Sequence, residues 1–559
     1  MIKFDESKND ERLGILLKKE EEDLAAILSS RYGVPYVDLS TVPINIDALR
    51  VIKEEDARKA EVAVFDITDK KLAVGVLSPS NEKAIHSIED MKSRGYKVDI
   101  YMVSHASLEK VWSRYKDLSY SFETKSGALD ISNEEILEIM GKVTTIVDIK
   151  TLIQEVLAMK KAYRISKILE IILAGGIALK ASDIHIEPEE KGVRLRYRLD
   201  GVLTDILNFE KDTFELLLSR IKLISNLKLN TKERAQDGRF SIKLGDSDIE
   251  VRTSLLPEPT SESVVLRILT PEAISVPLEE LGIHPRLLEI LMKEIAKPNG
   301  MILTTGPTGS GKTTTLYAFL RKIYTPEIKV ITIENPVEYH LKGIVQTQAD
   351  PDKGYSFAEG LRSSLRQDPD VIMVGEIRDS ETAEVAVNAA LTGHLVLSTL
   401  HTNNAAGSFP RLLDLGINPK VISSALNVSM AQRLVRKLCS DCKKEIPLAG
   451  DDKVFIDKVL AKIADQSYLE GVQRDHLWEA PGCDKCHHLG FKGRIGVYEA
   501  ILINEEIEKA VLNNPSENEI EEAAREQKQL NIVEDGVIKI LSGLTSIPEL
   551  ARVVDITTV

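Results

Sequence analysis

The sequence lacks an apolar run long enough to cross a membrane. Its most apolar helical stretch, residues 165–178, is interrupted by Lys167, Glu170 and the pair Gly175–Gly176, whereas a membrane-spanning helix needs roughly 20 apolar residues. The first twelve residues are rich in Asp, Glu and Lys and lack the apolar segment of a signal peptide. We therefore expect a chain that is not exported and that contacts a membrane only through partners.

Positive charge is also in short supply. With 72 Lys and Arg against 87 Asp and Glu, the chain of 559 residues has a net charge of −15. An acidic chain repels the phosphate backbone of a nucleic acid unless a local basic surface compensates. Composition therefore disfavours direct contact with nucleic acid, and we predict no such partner.

Cysteine is scarce, and its four occurrences form two C-x-x-C pairs: Cys439 with Cys442, and Cys483 with Cys486. Two such pairs complete a tetrahedral four-thiolate site for structural zinc. The 40 residues between the pairs exceed the usual spacing and predict a small inserted lobe. A disulfide is disfavoured in a cytoplasmic chain, and the haem signature C-x-x-C-H ending at His487 is not accompanied by an export signal. Zn²⁺ is therefore the predicted ligand.

A phosphate-binding loop stands in the middle of the chain, where residues 306–313 match the template G-x-x-x-x-G-K-[ST]. The apolar stretch 301–305 predicts a strand and residues 313–322 predict a helix, so backbone N–H groups and the helix dipole favour a polyphosphate here. Lys312 can reach the outer phosphates, and the Thr313 hydroxyl can ligate Mg²⁺. The predicted binding residues are Gly306, Pro307, Thr308, Gly309, Ser310, Gly311, Lys312, Thr313 and Thr314. The sequence therefore predicts a nucleoside-triphosphate binder.

Length and periodicity predict an α/β protein of about three or four domains. Alternating strands and helices after residue 300 imply a mainly parallel sheet covered on both faces. The predicted divisions are an N-terminal α/β domain (1–117), a linker (118–160), a second α/β domain (161–275), and a third α/β domain (276–559) that contains a zinc-binding lobe (436–495) and C-terminal helices (500–559).

Carboxylates follow two of the predicted strands. The apolar strand 371–374 ends in Gly375–Glu376, and Glu376 is predicted to act on Mg²⁺ or its water. Glu334 and Glu338 come after another strand, near the sheet edge at which a phosphate ligand binds. One of these two carboxylates can orient an attacking water.

Four ordered motifs resemble those of the secretion ATPase superfamily, which powers type II secretion and type IV pili. They are the phosphate loop, the acidic box 334–338, the strand motif 368–379 and the histidine box 392–401. The resemblance covers roughly residues 160–559 and implies a RecA-like P-loop NTPase motor. It further implies that Glu338 is the general base, that Glu376 acts through Mg²⁺, and that His401 senses the γ-phosphate.

The unit before the motor carries more signatures of the same superfamily, at residues 182–188, 194–201 and 236–239. The resemblance implies a PAS-like α/β domain. Arg252 and Arg267 match two family arginines that reach the phosphates of the nucleotide, where a guanidinium neutralises charge in the transition state. Arg239, which ends the third signature, is assigned to nucleotide binding. These arginines can act on the nucleotide of their own chain or on that of a neighbouring chain, and the sequence leaves both alternatives open.

Two departures from the family pattern affect these expectations. Asn335 stands where the family usually has Asp, which removes one charge beside the base, but Glu334 and Glu338 are retained and we still expect turnover. Residues 12–14 (Arg-Leu-Gly) resemble the start of a domain that binds cyclic-di-GMP in some relatives. The glycine and glutamine positions expected farther on are absent, so cyclic-di-GMP binding is not predicted.

The resemblance implies a cytoplasmic homo-hexamer, peripheral to the inner face of the membrane, that uses ATP, Mg²⁺ and Zn²⁺. Because retraction motors generally lack the cysteine pairs and the N-terminal domain, the expected function is assembly of type IV pilus filaments through an inner-membrane platform protein. One alternative is a type II secretion ATPase that drives pseudopilus assembly and protein export. Others are a nucleic-acid translocase on a RecA-like core and a nucleotide-binding subunit without hydrolysis.

Overall fold

The computed structural model describes residues 20–42, 44–49, 51–68, 71–117, 133–158, 164–245, 247–259, 261–270, 276–513 and 515–557. The chain divides into two compact units, Met1–Phe122 and Glu123–Val559. Among the residues described, no helix has the length and apolar character needed to cross a bilayer.

The first unit is a small α/β fold with a three-stranded sheet in the order β1-β2-β3. Its strands are β1 (Val62–Thr68), β2 (Lys71–Val76) and β3 (Lys97–Met102), and its helices are α1 (residues 20–32), α2 (Ile46–Leu49), α3 (Glu54–Ala60), α4 (Glu82–Ser93) and α5 (His105–Ser113). Because side chains alternate along β1, Val62 and Val64 enter one buried cluster while Ala63 and Phe65 enter another. Apolar residues therefore pack on both faces of this sheet.

The first part of the second unit contains an antiparallel six-stranded sheet in the order β6-β5-β4-β9-β8-β7. Its strands are β4 (Asp183–Glu189), β5 (Gly192–Leu199), β6 (Val202–Phe209), β7 (Gln236–Leu244), β8 (Ser247–Pro257) and β9 (Glu262–Leu269), and its helices are α6 (Asn133–Lys142), α7 (Ile146–Leu157), α8 (Arg164–Ala178) and α9 (Lys211–Ile224). The first two helices fall in the segment predicted as a linker, where a Thr145–Asp148 capping box starts α7. Apolar residues of these helices pack into the core under the sheet.

The opposite face of this sheet is polar because burial alternates along its strands. On β5 the buried residues are Val193, Leu195, Tyr197 and Leu199, and the arginines at 194, 196 and 198 lie between them. One face therefore closes the core and the other presents charged side chains.

The third predicted domain is built on a seven-stranded sheet in the order β12-β11-β13-β14-β10-β15-β18, with parallel pairing up to β15 and an antiparallel edge at β18. Its strands are β10 (Gly300–Thr305), β11 (Val330–Glu334), β12 (Val345–Gln348), β13 (Val371–Val374), β14 (Leu395–Leu400), β15 (Leu426–Leu438) and β18 (Phe491–Leu502). The helices are α10 (Pro285–Ile295), α11 (Lys312–Ile323), α12 (Phe357–Leu365), α13 (Ser380–Leu391), α14 (Ser408–Asp414) and α15 (Pro419–Ala425). The central strands are buried throughout, as expected for a parallel sheet between two helix layers.

A small lobe is inserted between β15 and β18. It contains β16 (Lys444–Pro447), β17 (His476–Glu479) and α16 (Gly450–Lys462), and the chain then ends with α17 (Glu505–Leu512), α18 (Glu517–Ala524), α19 (Ile532–Leu541) and α20 (Ile547–Ala551). Every residue of α19 is buried, and this helix shares one apolar cluster with the lobe. Helices α19 and α20 therefore anchor the inserted lobe to the seven-stranded sheet.

Candidate nucleotide site and zinc centre

The phosphate loop connects β10 to α11 at the carboxyl end of the parallel strands. Gly306 has φ 143° and Gly311 has φ 89°, a backbone region that favours glycine. A Cβ on Gly306 would lie 2.6 Å from the Gln432 carbonyl oxygen, so a side chain cannot be accommodated there. Residues 307–309 are exposed at the tip of the loop. The bare backbone at a helix N-terminus is the arrangement that holds phosphates.

Lys312 begins α11, and its ammonium group folds back onto the loop. Its Nζ donates to the carbonyl oxygens of Gly306 at 2.7 Å and Pro307 at 3.1 Å. Burial lowers the pKa of Lys312 to about 8, the Glu376 carboxylate opposes this shift, and the positive charge of Arg433 adds to it. Thr313 and Thr314 follow in the first turn of the helix. The cation is therefore held at the loop by neutral acceptors that an anionic ligand could replace.

The two glutamates of the acidic box have different surroundings. Glu334 is buried and accepts hydrogen bonds from the Tyr317 hydroxyl, from the Thr332 hydroxyl at 2.5 Å and from Gln346 Nε2 at 3.1 Å. The side chain of Glu338 is 29% exposed and lies 2.8 Å from a guanidinium nitrogen of Arg252. Glu334 is thus fixed by three donors, whereas Glu338 is the carboxylate that water can reach.

The three predicted arginines form one row across the second domain. Arg239 on β7 is the cross-strand partner of Arg252 on β8, which is the partner of Arg267 on β9. Arg267 is paired with Asp183 of β4 at 2.9 Å, and Arg252 also donates to the Val337 carbonyl oxygen at 3.0 Å. Arg252 is therefore brought to the acidic box of its own chain. Arg267 is engaged within its own sheet, and Arg239 is exposed.

Glu376 and His401 meet at the ends of two neighbouring parallel strands, β13 and β14. One Glu376 carboxylate oxygen lies 3.2 Å from His401 Nε2 and 2.6 Å from Arg378 Nε. The other histidine of the box, His394, lies at the opposite end of β14, where its Nδ1 is 3.0 Å from the Ala389 carbonyl oxygen. His401 is therefore at the phosphate side of the sheet, and His394 terminates a helix.

Sequence reasoning missed two residues of β15 that support the phosphate loop. Gln432 donates through Nε2 to the Ser310 carbonyl oxygen at 2.7 Å. Arg433 donates to the Gln432 carbonyl oxygen at 3.0 Å and to that of Asn403. A buried polar side chain requires a local reason for its burial, but other polar residues are scattered along the same strand, so no sequence signal singled out this pair.

The four cysteines converge between the lobe and the end of β15. Their Sγ atoms lie within 4.8 Å of one another, with separations of 3.9 Å for Cys439–Cys483, 3.9 Å for Cys442–Cys486 and 3.8 Å for Cys483–Cys486. A tetrahedral Zn²⁺ with ordinary thiolate bonds requires an S···S separation of about 3.8 Å. The donor set and its spacing therefore fit a structural zinc ion.

Two family profiles match the chain. The profile described as "Type II/IV secretion system protein" matches residues 158–552, and the profile described as "MshEN domain" matches residues 32–121. The second match starts after residues 12–14, which lie outside the residues that the structure describes.

Curated relatives agree with these profiles. The type IV pilus assembly ATPase PilB of Myxococcus xanthus is 35% identical over 560 residues, covering 98% of this chain and 94% of that protein. Type II secretion system protein E of Aeromonas hydrophila is 43% identical over 389 residues, covering 70% of this chain and 75% of that protein. Among solved structures, the ATPase DotB of Yersinia pseudotuberculosis matches with a TM-score of 0.50 at 20% identity, covering 71% of this chain and 95% of that one, which supports the fold alone.

Proposed function

The chain belongs to the type II/IV secretion system protein family, and from that premise we propose that it is a hexameric ATPase that drives assembly of type IV pilus filaments. The observation that carries this proposal is the similarity to a pilus assembly ATPase along 98% of the chain, including the N-terminal domain. The phosphate loop, acidic box and arginine row supply the chemistry that such a motor needs.

ATP is the proposed nucleotide, and the loop 306–311 with Lys312 would hold its phosphates. Two observations support this assignment: Gly306 has no room for a side chain, and the ammonium group of Lys312 donates to the Gly306 carbonyl oxygen. Thr313 and Glu376 would hold Mg²⁺, which supplies Lewis-acid stabilisation of the phosphates when bound. Asn335 stands where the family usually has Asp, so the metal side of the site would depend more on Glu376.

Hydrolysis requires a base beside the attacking water, and we assign that role to Glu338. Its carboxylate is the more accessible of the two in the acidic box, and Glu334 is already saturated by donors. Glu338 would accept a proton from water while Arg252 neutralises charge on the transferred phosphoryl group. Arg267 and Arg239 extend the same positive row, and His401 would respond to the outer phosphate through Glu376.

Mechanical work follows if the second domain moves relative to the motor during turnover. Arg252 comes from the second domain, whereas Glu338 belongs to the motor, and their 2.8 Å contact links the two. Displacement of either domain would change the partner of the base. We propose that this movement acts, in a ring of six chains, on an inner-membrane platform protein while the ring itself stays cytoplasmic.

The second candidate function is the motor of a type II secretion system. The 43% identity to a type II secretion system protein E over 389 residues specifically favours it. A nucleic-acid translocase is less favoured because the chain carries a net charge of −15. Addition of DNA should leave its rate of phosphate release unchanged.

Replacing Glu338 with Gln in the native host distinguishes the first two candidates. Surface filaments are counted by electron microscopy, and the proteins released into the medium are compared with those of the parent. Loss of filaments with a normal set of released proteins is the expected result. Intact filaments with missing released proteins would make the chain a secretion motor instead.

A further inference from the structure

Arg433 is a buried cation next to the phosphate loop. It lies on β15 with 8% of its surface exposed, and its two hydrogen bonds end on the neutral carbonyl oxygens of Gln432 and Asn403. Burial lowers the pKa of this arginine, and the Glu499 carboxylate on β18 partly offsets the shift. A buried charge held mainly by neutral acceptors is costly, so its position calls for an explanation.

Two cations flank the first glycine of the loop. Lys312 Nζ donates to the Gly306 carbonyl oxygen at 2.7 Å, and a guanidinium nitrogen of Arg433 lies 3.0 Å from the point at which a Cβ on Gly306 would stand. Lys312 is faced by Glu376 from the end of β13 and by Arg433 from β15. Like charges placed together destabilise each other unless an anion joins them, and a triphosphate is the anion for which this loop is built.

Arg433 also connects the segment that carries His401 to strand β15 at Gln432. Its second carbonyl partner, Asn403, lies two residues beyond His401. The residue between them, Thr402, is itself bound to the strand before the loop, because its N–H donates to Thr305 Oγ1 at 2.9 Å. A planar guanidinium can hold two carbonyl groups at a fixed separation, which an ammonium group cannot do in the same way.

We propose that Arg433 is a positioning residue for nucleotide hydrolysis, acting in two ways. Its charge beside Lys312 strengthens phosphate binding at Gly306, and its fork holds the His401 segment to Gln432, whose side chain supports the phosphate loop at Ser310. This inference rests on the proposed function, since both effects require a nucleoside triphosphate in the loop.

The test measures Mg-ATP affinity and turnover of the full chain at pH 7.5 for wild type, Arg433→Gln and Arg433→Lys. Arg433→Gln should bind Mg-ATP about tenfold more weakly than wild type, because a charge beside the phosphates is lost. Arg433→Lys keeps the charge, so its Mg-ATP affinity should stay within about threefold of wild type, but its kcat should fall about tenfold because the fork is lost.

Two results would overturn the inference: an Arg433→Gln affinity for Mg-ATP within about twofold of wild type, or an Arg433→Lys kcat within about twofold of wild type. If Arg433→Gln does not fold, Arg433→Lys still tests the inference, because it is expected to keep its affinity for Mg-ATP while its kcat falls. Lys312→Ala serves as the control. ATP binding retained by that variant contradicts the proposed function itself, whereas lost binding there with wild-type behaviour in both Arg433 variants contradicts only this inference.

Discussion

The cysteine cluster and the candidate nucleotide site both bring together side chains that suit a charged ligand, but the two sites are built in different ways. The four thiol groups come from two short turns and stand at the separations that zinc requires. The candidate nucleotide site draws on distant segments whose side chains contact one another: Arg252 with Glu338, Arg267 with Asp183, and Glu376 with Arg378 and His401.

This difference separates a permanent site from a switchable one. A tetrahedral four-thiolate zinc site has no open position, so the cysteine cluster would serve to stabilise its lobe. In the candidate nucleotide site, a bound phosphate or metal would replace some of the internal ion pairs. The free and the bound chain would then differ in their ion pairs, so ligand binding can shift the balance between two domain arrangements. The comparison predicts large effects on turnover from changes in the nucleotide site and small ones from changes in the cysteine cluster.

Lys312→Ala should have the largest effect on the nucleotide. Loss of a charged donor to the phosphates should weaken ATP binding about 100-fold, measured by isothermal titration. Lys322→Ala, at the far end of the same helix, is the matched control and should bind as wild type. Tight binding by Lys312→Ala would contradict the assignment of the loop.

Arg252→Gln should lower kcat about 30-fold while changing ATP affinity less than threefold, because its charge acts on the transferred phosphoryl group. Arg194→Gln is the control, since this arginine lies on the same sheet but is paired with Asp205 at 2.6 Å. An equal loss of kcat in both variants would mean that turnover depends on the overall charge of the second domain and not on the contact between Arg252 and Glu338.

Glu334→Gln should act mainly on stability. Its carboxylate accepts from three donors, and an amide would turn its own N–H₂ toward one of them. A mismatched buried donor costs about 1–3 kcal/mol, which urea unfolding can measure. Glu338→Gln, at the accessible end of the box, should unfold at the wild-type midpoint. Equal stability of the two variants would contradict the division of roles between these glutamates.

Cys483→Ser should have the smallest effect on nucleotide binding. We expect elemental analysis to find about one zinc per chain in wild type and none in this variant, with ATP affinity within about twofold of wild type. Ser440→Ala, an exposed residue of the first cysteine turn, should retain zinc. A large loss of ATP affinity in Cys483→Ser would make the two sites one coupled unit and end the comparison.

Local sequence patterns predicted the parts of the molecule that depend on local chemistry. The strands at 301–305 and 371–374 are confirmed because a parallel strand buried on both faces is a continuous apolar run. The cysteine turns converge as expected, since two-residue spacing fixes each pair. The roles assigned to the catalytic side chains stay predictions.

Contacts between distant segments could not be read in the same way. Arg252 meets Glu338 only because a sheet of one domain packs beside a strand end of another, and no short pattern encodes that distance. Gln432 and Arg433 lie on a strand of mixed apolar and polar residues, and their partners Ser310 and Asn403 are distant in the sequence. Helices α6 and α7 formed in a segment read as a linker because their apolar faces cover the core of the second domain.

The central claim is that the Glu338 carboxylate acts as the general base for ATP hydrolysis, whereas ATP binding at the phosphate loop does not require this carboxylate. Phosphate release and ATP affinity of purified wild type and Glu338→Gln test it directly. The account predicts a rate about 10³-fold lower with affinity within about threefold of wild type, as expected for loss of a general base. Wild-type hydrolysis by Glu338→Gln would contradict it.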